Sequence, residues 1–169
     1  LENILKEVSK KVFIPITAGG GINSVDNATK LILSGADKIA INTSAVNNPI
    51  LIKDIAKSLG SQCIVSSVQT KKNIKGDWEV FTDSGRNRSK YFLEEWLDII
   101  QEMGCGEIFI NSVQKDGTLR GFDYELANIV KGKTSCPVVI GGGISQLGAQ
   151  ALGAAAYAIW TLVTCWIAW

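Results

Sequence analysis

Pro15-Ile16-Thr17-Ala18-Gly19-Gly20-Gly21-Ile22 returns later in the chain as Pro137-Val138-Val139-Ile140-Gly141-Gly142-Gly143-Ile144. The copies agree at the proline, at three glycines and at the closing isoleucine. Each runs from a proline at a strand start, through three residues of buried strand, into three glycines. Glycine has no Cβ, so the backbone turns sharply there and brings bare N–H groups against a ligand. Ser24 then stands at a helix N-cap position, ahead of Ala28, Leu31 and Ile32. A glycine turn that feeds a helix N-terminus favours anions, phosphate above all. A ligand-free tight turn explains one such run equally well. Two runs in one chain, each after a buried strand, favour the anion.

The 169 residues suffice for one domain with a real core. The 17 basic and 16 acidic side chains leave a net charge of +1. With no basic excess, nucleic acid is not an expected partner. Histidine is absent, which removes His-based triads, His general bases and His metal sites together. Cys63, Cys105, Cys136 and Cys165 form no CxxC pair, and three of them lie in or beside apolar strands. Reduced buried thiols in a cytoplasmic protein are expected, with no metal and no cofactor. The first residues carry no signal-peptide pattern. Leu1, already inside a helical pattern, reads as a start partway into a domain.

Apolar spacing predicts a helix over 1–11, a strand over 12–17 and a helix over 24–34 that stops at Gly35. A strand over 38–43 follows. Asn48 is the expected cap of the next helix, with Pro49 in its first turn and Gly60 as its stop. A strand over 63–69 leads to a turn at 73–76. Residues 77–82 alternate like an exposed hairpin strand, and 83–90 read as a polar, basic loop. A helix over 91–103, a strand over 107–113, a helix capped by Asp123 and a strand over 137–140 complete the pattern. Strands this apolar, alternating with helices, imply a parallel sheet covered by helices. Both Rossmann-type and barrel topologies fit, and the internal repeat favours a (β/α)8 barrel. In either topology chemistry belongs at the C-terminal strand ends.

The character changes from Gln150 onward. Lys133 is the last charged residue, and Ala151 to Trp169 is apolar but for Thr161 and Thr164. The chain is accordingly divided into a partial barrel over 1–148 and an apolar tail over 149–169. By length the tail nearly spans a membrane. It also fits a last buried strand and helix, or an end not native to this fold. The membrane is the least favoured of the three.

Several stretches together carry a family resemblance. They are Gly19-Gly20-Gly21-Ile22, Gly35-Ala36-Asp37-Lys38 with Ile41-Asn42-Thr43, Gly60-Ser61-Gln62, Gly104-Cys105-Gly106-Glu107-Ile108, and Asp116-Gly117-Thr118 with Gly121-Phe122-Asp123. In order and spacing they resemble the cyclase subunit of imidazole glycerol phosphate synthase, of histidine biosynthesis, over residues 1 to about 145. Asn111 is closer to paralogues that serve amidotransferase-coupled steps in surface-sugar synthesis. The resemblance implies a (β/α)8 barrel, here incomplete, with about strands three to seven.

It also implies a lyase that takes ammonia from a glutaminase partner and condenses it with a phosphoribosyl-formimino ribonucleotide. The products are imidazole glycerol phosphate and an aminoimidazole carboxamide ribotide. A substrate with a phosphate at each end needs two phosphate sites. By resemblance Gly20, Gly21, Asn42 and Thr43 serve one, while Asn111, Asp116, Gly117, Gly142 and Gly143 line the other. Lys38 and Glu107 match the charged ring that gates ammonia; without the resemblance they read equally well as a solvated salt bridge.

The chain departs from the family at its acid–base pair. One of the family's two catalytic aspartates lies on a strand before residue 1. The other falls at Gln69, and Gln114 replaces a further aspartate. Glutamine hydrogen-bonds but does not exchange a proton near neutral pH. The expectation is therefore an inactive chain when alone. A nucleotide-sugar cyclase suited to Gln69 and Gln114, or a catalytically dead phosphate-binding or docking module, are the alternatives.

Overall fold

A computed structural model of the protein describes residues 1–143. The tail, the domain limit at 148 and any eighth strand lie outside the described residues. Helix α1 spans Glu2–Val8 and strand β1 Thr17–Gly19. Helix α2, Val25–Leu33, starts on the expected cap: Ser24 Oγ accepts the Asn27 N–H at 3.2 Å. Gly35 follows it at φ +108°, a backbone that L side chains resist.

Strand β2 is Lys38–Ile41. A short helix α3, Thr43–Asn47, follows; the apolar pattern had not indicated it. Helix α4 is Ile50–Leu59, with Pro49 rather than Asn48 at the cap and no side-chain cap bond. Proline has no N–H, and its fixed φ suits a helix start without help from a neighbouring side chain. Strands β3 (Ile64–Lys72), β4 (Trp78–Thr82) and β5 (Asn87–Phe92), helix α5 (Leu93–Glu102), strand β6 (Glu107–Ser112), helix α6 (Tyr124–Lys131) and strand β7 (Val138–Gly141) complete the chain.

β1, β2, β3, β6 and β7 form one parallel sheet in that order. Ile39, Ile64, Val68, Ile108 and Ile110 lie on one face and are fully buried. Against them pack Ala28 and Leu31 of α2, Ile52 and Ile55 of α4, Trp96, Leu97 and Ile100 of α5, and Leu126 and Val130 of α6. Each fully buried aliphatic or aromatic side chain contributes about 1.5–3 kcal/mol. The fold is α/β of the (β/α)8 barrel type. β1 and β7 are the edges of the parallel part of the described sheet, so the barrel is open over residues 1–143.

Three further expectations are corrected. The first strand occupies 17–19, not 12–17: Phe13 is 96% exposed and Ile14 36%. Pro15 has no N–H for a ladder, and the next N–H, of Ile16, goes to the Asp37 carboxylate at 2.7 Å. Of residues 77–82 only Asp77 is exposed, since Trp78, Glu79, Val80 and Thr82 are buried. Residues 83–90 are not all loop. From Asn87 onward they form β5, which pairs antiparallel with β4, and β4 in turn pairs with the C-terminal half of β3. Among the described residues no helix is long and apolar enough to cross a membrane.

Candidate functional site

Because the five strands run parallel, both glycine turns leave the sheet at the same end, one beyond each edge strand. Their backbones repeat as their sequences do. Gly20 and Gly21 have φ of 99° and 70°; Gly142 and Gly143 have 106° and 74°. The surroundings differ. A Cβ at Gly20 or Gly21 meets nothing within 4 Å, whereas one at Gly142 lies 2.7 Å from the Ser112 carbonyl oxygen. One at Gly143 lies 2.4 Å from the Gly121 oxygen. The first turn borders a hollow of about 360 Å³, bounded also by Asn27, Leu31 and the start of α1. The second is closed on by the loop after β6.

Asn42 and Thr43 sit at the end of β2, beside the first turn, and both are engaged by the hairpin. Asn42 Nδ2 donates to the Phe81 carbonyl at 3.5 Å. The Asp83 N–H donates to Thr43 Oγ1 at 3.2 Å, and that hydroxyl lies 3.4 Å from Asp83 Oδ1. A carboxylate thus rests on the hydroxyl that the family resemblance gives to a phosphate. Asn42 Oδ1 is buried without a hydrogen-bond partner among the described residues.

Across the sheet, Asn111 Nδ2 donates to Asp116 Oδ2 at 3.1 Å, and the Asp116 N–H bonds the Ser112 carbonyl at 2.9 Å. Gly117 takes φ 70°, and the Gly121 N–H reaches the Gly143 carbonyl at 2.7 Å. Asn111, Asp116, Gly142 and Gly143 therefore belong to one packed loop cluster, while Gly117 lies on the same loop with open space around it. Sequence reading missed its brace. Buried Asp123 caps α6 through the Leu126 N–H at 3.3 Å and also accepts the Ser112 hydroxyl at 2.7 Å. Its cap position was visible in the sequence; the second bond depends on β6 ending beside it.

Between the clusters stands Gln69, directly opposite Asn111 in the β3–β6 register. Its Oε1 is buried and has no partner among the described residues. The parallel register puts Lys38, Val65, Ser67, Gln69 and Glu107 on the face away from the helices. Lys38 and Glu107, at the opposite end of the strands, form an ion pair with side chains 35% and 22% exposed. They are brought together, but far down the sheet from the glycine turns. Among the described residues no three potential metal ligands gather. Cys63, Cys105 and Cys136 are free thiols. Burial, with the neighbouring Cys136 thiol 3.9 Å away, pushes the Cys105 thiol up to about 12.

Paired glycine turns at the C-terminal edge of a parallel sheet define an α/β protein of the barrel class with its polar groups at the strand ends. Comparison with known proteins narrows that class. The model of the histidine biosynthesis protein family matches residues 1–152. Imidazole glycerol phosphate synthase subunit HisF of Legionella pneumophila is 47% identical over 147 residues, which is 87% of this chain and 69% of the relative. The subunit of the same name from Chlorobaculum parvum is 44% identical, covering 87% of this chain and 58% of the relative. That from Streptococcus mutans is 40% identical over 145 residues, 86% of this chain and 58% of the relative. The chain belongs to the histidine biosynthesis protein family, and it spans between 58% and 69% of the length of these relatives.

Proposed function

We propose that this chain acts as the cyclase subunit of imidazole glycerol phosphate synthase. In that role it binds the ribonucleotide whose imidazole ring is closed with ammonia from a glutaminase partner in the reducing cytoplasm; with Gln69 in place of an aspartate, this chain alone does not turn the substrate over. The observation that carries the proposal is the repeated glycine turn, with matching φ angles at the two edges of one strand-end face. A ribonucleotide with a phosphate at each end calls for that arrangement. Gly20, Gly21, Asn42 and Thr43 take one phosphate. Gly117, Gly142 and Gly143 offer N–H groups to the other, while Asn111 holds Asp116 and so shapes the loop around it. The Lys38–Glu107 pair gates ammonia at the far end of the strands.

Gln69 lies between the two anion sites on the face away from the helices. Its buried Oε1 is placed to accept a hydrogen bond from a donor on the bound substrate. With a carboxamide at this position, Gln69 orients the substrate and does not move its protons.

Calorimetric titration tests the proposal. The phosphoribosyl-formimino ribonucleotide should bind one-to-one and at least about a hundredfold more tightly than its analogue lacking one phosphate, as two anion sites acting on one ligand require. Equal affinity for the two compounds would overturn it.

A further inference from the structure

We propose that Gln114 is a positioning residue that holds the second anion site in its binding shape. The inference deepens the reading of the second glycine turn as a phosphate site and rests on it. The backbone ladder between β3 and β6 runs in constant register from Val65↔Glu107 to Thr70↔Ser112. Two residues further on, that register would set Lys72 against Gln114. The backbone does not continue so far, because the chain turns away after Ser112. The Gln114 side chain reaches back instead. Its Oε1 accepts the Lys72 N–H at 3.0 Å, and its Nε2 donates to the Lys72 carbonyl at 3.0 Å. A side-chain amide has the same donor and acceptor as a peptide group, and here it supplies the rung the backbone leaves out.

This rung lies where the loop needs an anchor. The loop is held in its middle by Asn111 on Asp116 and at its end by the Gly121 N–H on the Gly143 carbonyl. Gln114 ties its beginning to β3. Lys72 is itself fixed from the other side, through the ion pair of its ammonium with Glu125 on α6. The glycine at 143 has no room to adjust: its missing Cβ would lie 3.0 Å from the Lys115 Cβ, the residue next to Gln114. A loop that shifts at 114 therefore moves against the second turn. A carboxylate at 114 could not make the same rung, since it has no donor for the Lys72 carbonyl.

The test is an NMR titration of the full chain with inorganic phosphate, read at individual glycine amides. In the native protein Gly117, Gly142 and Gly143 should shift with phosphate, as should Gly20 and Gly21. Gln114→Met keeps the length and loses both bonds. It should weaken phosphate at the second turn about tenfold, the scale of two lost modest hydrogen bonds. The first turn should stay within about twofold, which also shows that the variant is folded. Gln114→Asn keeps the amide but is one methylene short, and it should behave like Gln114→Met. If the native protein binds at the second turn and both variants bind equally well there, Gln114 does not position the site. If phosphate leaves the second-turn amides of the native protein unmoved, the anion site itself is wrong, and the role of Gln114 falls with it.

Discussion

Gly21 and Gly143 separate two reasons for a glycine. Their φ angles are 70° and 74°, so an alanine suffers the same backbone strain at either place. Only Gly143 is crowded, with the Gly121 oxygen 2.4 Å from the position of a Cβ. Gly21→Ala should cost about 1 kcal/mol of stability, the strain of a left-handed alanine. Gly143→Ala should cost clearly more, because backbone must move as well. Urea midpoints of the two variants measure the difference, and equal losses would show that the 113–121 loop yields freely. At this scale the sequence was informative about conformation and silent about surroundings. Three adjacent glycines announce a positive-φ turn. They do not say that the first turn faces a hollow and the second a wall, since that depends on Gly121 and Ser112 arriving from other elements.

Among the elements, those with local causes were legible. Ser24 and Asp123 cap the helices expected of them, and Gly35 and Gly60 stop theirs. Elements with non-local causes were not. Asn87-Arg88-Ser89-Lys90-Tyr91-Phe92 has too few apolar residues to read as a strand, and it forms one because β4 offers it a ladder. Thr17–Gly19 is displaced from the apolar run Val12-Phe13-Ile14 because β2 pairs only there. The two caps differ in the same way. Ser24 makes one local bond at a half-buried site, whereas buried Asp123 joins the end of β6 to the start of α6. Ser24→Ala should therefore lower stability by about 1 kcal/mol and Asp123→Ala by about 2–3 kcal/mol. Both losses should show as a lower denaturant midpoint with an unchanged slope. A smaller loss for Asp123→Ala would mean that its bond to Ser112 contributes nothing.

At the scale of the whole molecule, the parallel sheet turns a repeat in sequence into a pair of sites in space. Parallel strands send every strand end to one face, so two like turns far apart in the chain both open on it. Between them stand Gln69 and Asn111 in register, and the Lys38–Glu107 pair marks the opposite end. The class of fold, the strand-end location and the glycine pair were all readable from residue order. The hairpin contacts on Asn42 and Thr43 and the burial of the Gln69 oxygen were not, because both arise where separate elements meet. The most direct measurement is a crystal structure of the chain with the phosphoribosyl-formimino ribonucleotide bound. One phosphate should lie at about 3 Å, hydrogen-bond distance, from the N–H groups of Gly20 and Gly21, and the other equally close to those of Gly142 and Gly143. Both phosphates at one turn, or either one at the Lys38 end of the sheet, would contradict it.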